Sequence, residues 1–217
     1  MIKEFITNTS SILLVLNFIC YFSKHKRYPL ALKTFTLYLF LMTLIQLSSD
    51  LMAIYKMNNI FFAHYYFIGQ FILLSLFFKQ LLKNTFQKKA ITFVLFIVLI
   101  ALGIYYLLYP SNYYNFNIFE TIITSIPLLV YSFFFFIQKI EDPDKKYIYI
   151  VSGFFLYLLC STLLFTAGNI KADIIKFIWH TNVILHIVYQ LLIFVEWYNH
   201  FRKKEVVGIM DEEEKKL

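Results

Sequence analysis

The sequence predicts an all-α, polytopic membrane protein, a seven-transmembrane-helix bundle with its N-terminus outside and its C-terminus in the cytoplasm. Three observations carry that reading. Seven apolar blocks, at about 6–23, 34–55, 60–78, 90–109, 117–138, 147–167 and 174–198, occupy almost all of the 217 residues. Most reach the roughly 20 residues that cross a hydrocarbon core about 30 Å thick. With 60% hydrophobic and only 15% charged residues, the chain has too little polar surface to cover itself in water. Finally, the basic residues are unevenly divided between alternate connectors. One side collects Lys24, Lys26, Arg27, Lys33, Lys79, Lys83, Lys88, Lys89, Lys139, Lys145, Lys146, Arg202, Lys203, Lys204, Lys215 and Lys216, which is 16 of the 20 Lys and Arg. The other side has Lys3, Lys56, Lys171 and Lys176. By the positive-inside rule the richer side is cytoplasmic.

Each block reads as a helix because no water reaches its backbone at membrane depth and the two-residue alternation of a barrel strand is missing. The first is the most polar, diluted by Asn8, Thr9, Ser10, Ser11 and Asn17, and is expected to pack against other helices. No small-residue cleavage site follows it, so it reads as retained rather than as a signal peptide. The second carries Thr43, Gln46 and Asp50 on one face, and the third Tyr66 and Gln70. After the fourth come Tyr105, Tyr106, Tyr109, Tyr113 and Tyr114, rings suited to a membrane interface. Pro127 is expected to kink the fifth helix, with Thr124 or Ser125 near the freed carbonyls. Glu141-Asp142-Pro143-Asp144 reads as a tight turn before the sixth. The seventh carries a polar stripe, Asn182, His186 and Gln190, spaced by four.

These helices form one domain, 1–201, followed by a charged cytoplasmic tail, 202–217, and no connector is long enough for a soluble domain. The two cysteines, Cys20 and Cys160, lie singly in apolar blocks and read as small hydrophobes. The sequence pI of about 9.2 reflects clusters flanking helices, which points to orientation and anionic lipid rather than nucleic acid.

Ionisable groups at membrane depth are expensive, which singles out Asp50, His64, Glu120, His180, His186 and Glu196. At about 1.5 Å of rise per residue, Asp50, His64, Glu120 and His180 share a layer roughly 5–9 Å below the outer surface. His186 and Gln190 lie deeper. The expected ligand-binding set is therefore Gln46, Ser49, Asp50, His64, Glu120, His180, His186 and Gln190. The competing reading leaves Asp50, His64 and Glu120 as helix-end residues reached by interfacial water. Glu196 is expected to pair with Arg202 or Lys203 at the cytoplasmic edge. No metal site is expected, because no two His stand four apart; zinc is the alternative, held by two His and two carboxylates.

Leu47-Ser48-Ser49-Asp50-Leu51 and Ala63-His64-Tyr65-Tyr66-Phe67 resemble the "GD…H..Y" signature of lysoplasmalogenase-like (YhhN-type) membrane hydrolases. Val188-Tyr189-Gln190-Leu191-Leu192-Ile193 is similar to that family's last-helix "YxxAQxLI". Ser161-Thr162 stands where the family carries its second "SD". This resemblance implies lipid hydrolysis, with Asp50 as acid or base and His64 or His180 as its partner. The stretch from Asn58 to Lys83, with Glu120 and Trp179-His180-Thr181-Asn182, resembles small uncharacterised seven-span bacterial membrane proteins, which implies architecture and a bacterial cytoplasmic membrane. A retinal protein is disfavoured, since the only Lys of the last helix, Lys176, lies at its edge.

The leading expectation is a polar pocket toward the outer leaflet that binds a small amphiphilic or lipid-like ligand. The protein would act as a sensor or accessory subunit for a cytoplasmic or membrane partner. Lipid hydrolysis is the alternative, and a small transporter or channel, without the usual inverted repeats, the third.

Overall fold

The computed structural model describes residues 2–140, 142–168 and 175–202, the side chains of 2–5, 167–168, 175–176 and 179 aside. The described residues form seven α-helices and no strands. They are α1 (Ile2–Phe22), α2 (Leu30–Ile54), α3 (Phe62–Leu81), α4 (Thr85–Leu108), α5 (Ile118–Ile140), α6 (Ile148–Gly168) and α7 (Ile175–Glu196). A π-helical turn, Trp197–Arg202, extends α7. Six of the helices, α2 to α7, are long and apolar enough to cross a membrane. The described apolar part of α1, Ile6–Phe22, is shorter. The tail expected from 202 onward lies, past Arg202, outside the described residues, as do Lys171 and Glu141.

Local chemistry explains where helices begin. α2 starts at Leu30 rather than 34 because Pro29, at φ −63° and ψ 160°, ends the preceding segment and has no N–H to leave unpaired. Its carbonyl accepts from Lys33 N at 3.0 Å, and Ala31 and Leu32 are buried. α4 starts at Thr85 rather than 90, where Asn84 Oδ1 accepts from Phe86 N at 2.8 Å. Asn117 does the same for α5, accepting from Glu120 N at 3.3 Å. In α5 the Thr124 hydroxyl donates to Glu120 O at 2.7 Å, so it does not serve the Ile123 carbonyl that Pro127 deprives of a donor.

α1, α2, α3, α5, α6 and α7 pack as a closed ring in that order, and α4 lies outside it against α3 and α5. The position of α4 follows from its composition. It has the highest hydropathy of the spans and the least buried, as a helix facing lipid should. The ring is filled with aromatic side chains: Tyr21, Tyr38, Tyr189, Phe35, Phe77 and Phe154 are almost completely buried. Two glycines allow close approach. A Cβ on Gly69 would lie 2.6 Å from Leu41 Cδ2 on α2, and one on Gly153 would lie 3.1 Å from Tyr189 Cδ2 on α7.

The bundle thus has two ends. The lysine-rich end carries the connectors at 23–29, 82–84 and 142–147. The lysine-poor end carries those at 55–61 and 109–117.

Candidate functional site

The lysine-poor end contains a cavity of about 430 Å³. Its polar lining is Gln46 and Ser49 from α2, Asn59 from the following connector, Tyr66 from α3, Tyr157 from α6 and Asn182 from α7. Phe62, Phe67, Phe116, Phe165, Ile45 and Ile60 supply most of the remainder. That size and mixture, apolar walls with a few amides and hydroxyls, suit a small organic ligand. Gln46 and Ser49 belong to the expected set; Asn59, Tyr66, Tyr157 and Asn182 complete the lining. Asn182 Oδ1 is buried without a hydrogen-bond partner among the described residues. Asn59 Nδ2 donates to Ser49 O at 3.2 Å and to its Oγ at 2.9 Å, closing the α2–α3 connector over this end.

None of the expected ionisable residues lines this cavity. Asp50, His64, Glu120 and His186 are held by hydrogen bonds that join neighbouring helices. His64 and Glu120 meet: His64 Nδ1 and Glu120 Oε2 form a short contact, both side chains being at most 3% exposed. Tyr106, from α4, donates to Glu120 Oε2 at 2.8 Å and accepts from Asn117 Nδ2 at 3.1 Å. His64 Nε2 faces the Tyr113 carbonyl at 2.9 Å. A carbonyl only accepts, so Nε2 carries a hydrogen. One further proton then lies between Nδ1 and Oε2, and the pair is net neutral whichever atom bears it. That is the condition under which a carboxyl and an imidazole tolerate burial. The cluster fastens α4 to the ring, a task for Tyr106 that sequence reading gave to the interface. The Asn117-x-x-Glu120 spacing, a capping-box pattern, was the available signal.

Asp50 lies apart from this pair. Ser11 Oγ donates to Asp50 Oδ2 at 3.0 Å and Gln46 Nε2 to Oδ1 at 2.9 Å, tying α1 to α2. Among the contacts of the described residues no hydrogen bond or ion pair joins Asp50 to His64; the two are held by different partners. His180 is half-buried on α7. The described residues contain no grouping of three or more His, Cys, Asp and Glu that could hold a metal ion.

His186 and Gln190 belong to a third construction, the seam between α1 and α7. Asn17 Nδ2 donates to Gln190 O and to Gln190 Oε1, each at 2.8 Å. Because the backbone oxygen can only accept, the Asn17 amide nitrogen must face it, and Gln190 must present its oxygen to Asn17. Gln190 Nε2 therefore faces His186 Nε2, at 3.0 Å, and donates to it. His186 Nδ1 then carries the hydrogen and donates to Ser10 Oγ at 2.6 Å. The imidazole is neutral with both nitrogens hydrogen-bonded, an arrangement that stitches α1 to α7.

Glu196 does not pair with Arg202. Its carboxylate accepts from Tyr147 N at 2.6 Å and Tyr149 N at 2.9 Å, capping the start of α6 from α7. Arg202 instead lies over the Tyr198 ring at 4.9 Å, and Lys203 is outside the described residues. A backbone turn with Tyr147 at φ 71° presents those N–H groups together, a geometry invisible to residue spacing.

No protein-family model matches this chain, nor does any curated protein or solved structure. The class defined by the fold alone is a multi-pass helical membrane protein.

Proposed function

We propose that this protein is a seven-span bundle of the bacterial cytoplasmic membrane, with its lysine-rich end in the cytoplasm, that binds a small amphiphile in the cavity at the outer end. It acts as a sensor or accessory subunit for a cytoplasmic or membrane partner. The observation that carries this reading is the lining of the 430 Å³ cavity, where aromatic walls surround amide and hydroxyl groups. No carboxylate, His, Lys or Arg is among the residues lining it, so the ligand class is an amphiphile with an uncharged, hydrogen-bonding head group. Asn182, Gln46 and Ser49 receive the head group and Phe67, Phe116 and Phe165 the apolar part.

The sensor role draws its support from Tyr157. Its ring borders the cavity, stacks on Tyr189 at 5.7 Å and 8°, and meets the His186 ring edge-on at 5.4 Å. Tyr189 reaches Tyr38 on α2, so a ligand that moves Tyr157 acts on α2, α6 and the α1–α7 seam together.

The test is thermal unfolding of the purified full chain in a neutral detergent, with a monoacylglycerol as probe and the lysophosphatidic acid of equal chain length as comparison. The neutral probe should raise the midpoint by the order of 5 °C near saturation, and Asn182→Leu should remove that shift. Equal shifts from both probes, or an unchanged shift in Asn182→Leu, would contradict the reading.

A further inference from the structure

The lysine-rich end carries a second recess of different chemistry, independent of the cavity just described. A cavity of about 880 Å³ lies among the ends of α2, α3, α4 and α5, and Lys79, Lys83, Lys88 and Lys139 line it with Asp142 and Asp144. The aspartates do not serve the four lysines equally. Lys83 Nζ lies 3.0 Å from Asp142 Oδ2, and Lys139 Nζ lies 3.5 Å from the same oxygen and donates to Asp144 O at 2.5 Å. No carboxylate among the described residues pairs with Lys79 or Lys88.

Those two lysines, together with Lys89, also line a neighbouring furrow of about 590 Å³, which runs along α4 past Phe93, Phe96, Ile97 and Ile100. Positions 93, 96, 97 and 100 share one helical face, and all four side chains are about half exposed or more. The seven steps of helical rise from Phe93 to Ile100 make the apolar part of the furrow about 10 Å long, a third of a hydrocarbon core. An apolar face on a peripheral helix needs nothing beyond lipid to explain it. What sets this one apart is that its polar end runs directly into Lys79, Lys88 and Lys89, none of which has a carboxylate partner among the described residues.

We infer that this recess is a binding site for an anionic glycerophospholipid of the leaflet at the lysine-rich end. Its phosphate sits between Lys79 and Lys88, and one acyl chain lies in the furrow along α4. Two point charges on flexible stems suit a phosphate that is recognised by charge rather than by bidentate geometry. The continuity of charged cavity and apolar furrow selects a lipid over free phosphate, which has no use for the furrow.

The experiment is native mass spectrometry of the full chain released from nanodiscs containing phosphatidylcholine with a minor fraction of phosphatidylglycerol of matched chains. One phosphatidylglycerol per chain should be retained in preference to phosphatidylcholine. The double substitution Lys79→Gln with Lys88→Gln should weaken retention by at least about tenfold, two surface charges' worth, while Lys26→Gln leaves it unchanged. Lys79→Arg with Lys88→Arg should retain the lipid, which separates lost charge from lost folding. Dihexanoyl phosphatidylglycerol should bind more weakly than the long-chain lipid, and inorganic phosphate should not displace it. Equal retention of the two lipids, or by wild type and the Gln variant, would overturn the inference. So would displacement by inorganic phosphate, which would mark a free-anion site.

Discussion

The two ends of this bundle treat charge in opposite ways. At the lysine-poor end every ionisable side chain whose contacts are described is sealed against another helix, and the open space is left to amides, hydroxyls and aromatic rings. At the lysine-rich end the charges line the open space themselves, and Lys79 and Lys88 have no carboxylate partner among the described residues. A buried charge must be satisfied within the protein, because no water is available to do it. An ionisable residue at membrane depth is therefore as apt to be a fastener as a reactive group. The chemistry open to a ligand is read from what remains unpartnered.

The largest expected effect tests whether the sealed end is a fastener. Glu120→Ala leaves His64 and Tyr106 facing an emptied site, and should destabilise the protein by about 3–5 kcal/mol in thermal or denaturant unfolding. Replacing both partners with His64→Phe and Glu120→Leu should recover most of that loss. A double variant as unstable as the single one would show that the proton-sharing pair does more than hold α4. Next in size, Asn17→Leu removes two hydrogen bonds to Gln190 and frees the chain leading to His186 and Ser10. A loss of about 1–3 kcal/mol is expected by the same measurement, and a neutral outcome would deny the seam its role.

At the lysine-rich end the titration of Asp142 sharpens the contrast. Its carboxyl is pushed down to about 2, first by the Asp144 backbone N–H and then by Lys83. A carboxyl with a depressed folded value stabilises the fold fully above its ordinary value of 3.8, and that contribution is lost as pH falls through about 2. Stability should therefore decline over that window, and Asp142→Asn should flatten the decline. An identical acid profile in the variant would remove Asp142 from the account. The smallest stability effect belongs to the open cavity. Asn182→Leu should change unfolding by about 1 kcal/mol or less, since it loses a single hydrogen bond to Tyr157 and Oδ1 has no partner among the described residues, while abolishing probe binding.

The existence and order of the helices were legible in the sequence, and their azimuth was not. The apolar blocks could be read because hydrophobic length is a property of neighbouring residues, but the starts of α2 and α4 lie in the polar stretches before them, where Pro29 and Asn84 set them. The one-layer grouping of Asp50, His64, Glu120 and His180 followed from counting residues along each helix. Which of them touch depends on the order of helices around the ring, and nothing in the spacing of α4 says that it lies outside. Hence Glu120 is joined to His64, while Asp50 turns to Ser11 on α1. Asn17 read as a diluting polar residue because its partner is 173 positions away. Glu196 read as an edge residue because the turn at Tyr147 that it caps exists only in the folded chain.

On the proposed function the uncharged cavity, and not Asp50, His64, Glu120 or His186, receives the ligand. Photolabelling with a diazirine-bearing monoacylglycerol, followed by peptide mass spectrometry of the full chain in nanodiscs, tests this most directly. The account predicts label concentrated on the cavity segments around Tyr66, Phe165 and Asn182, competed by unlabelled monoacylglycerol and lost in Ala63→Trp. Label spread evenly over the lipid-facing surface of α4, or centred on Asp50 and His186, would contradict it.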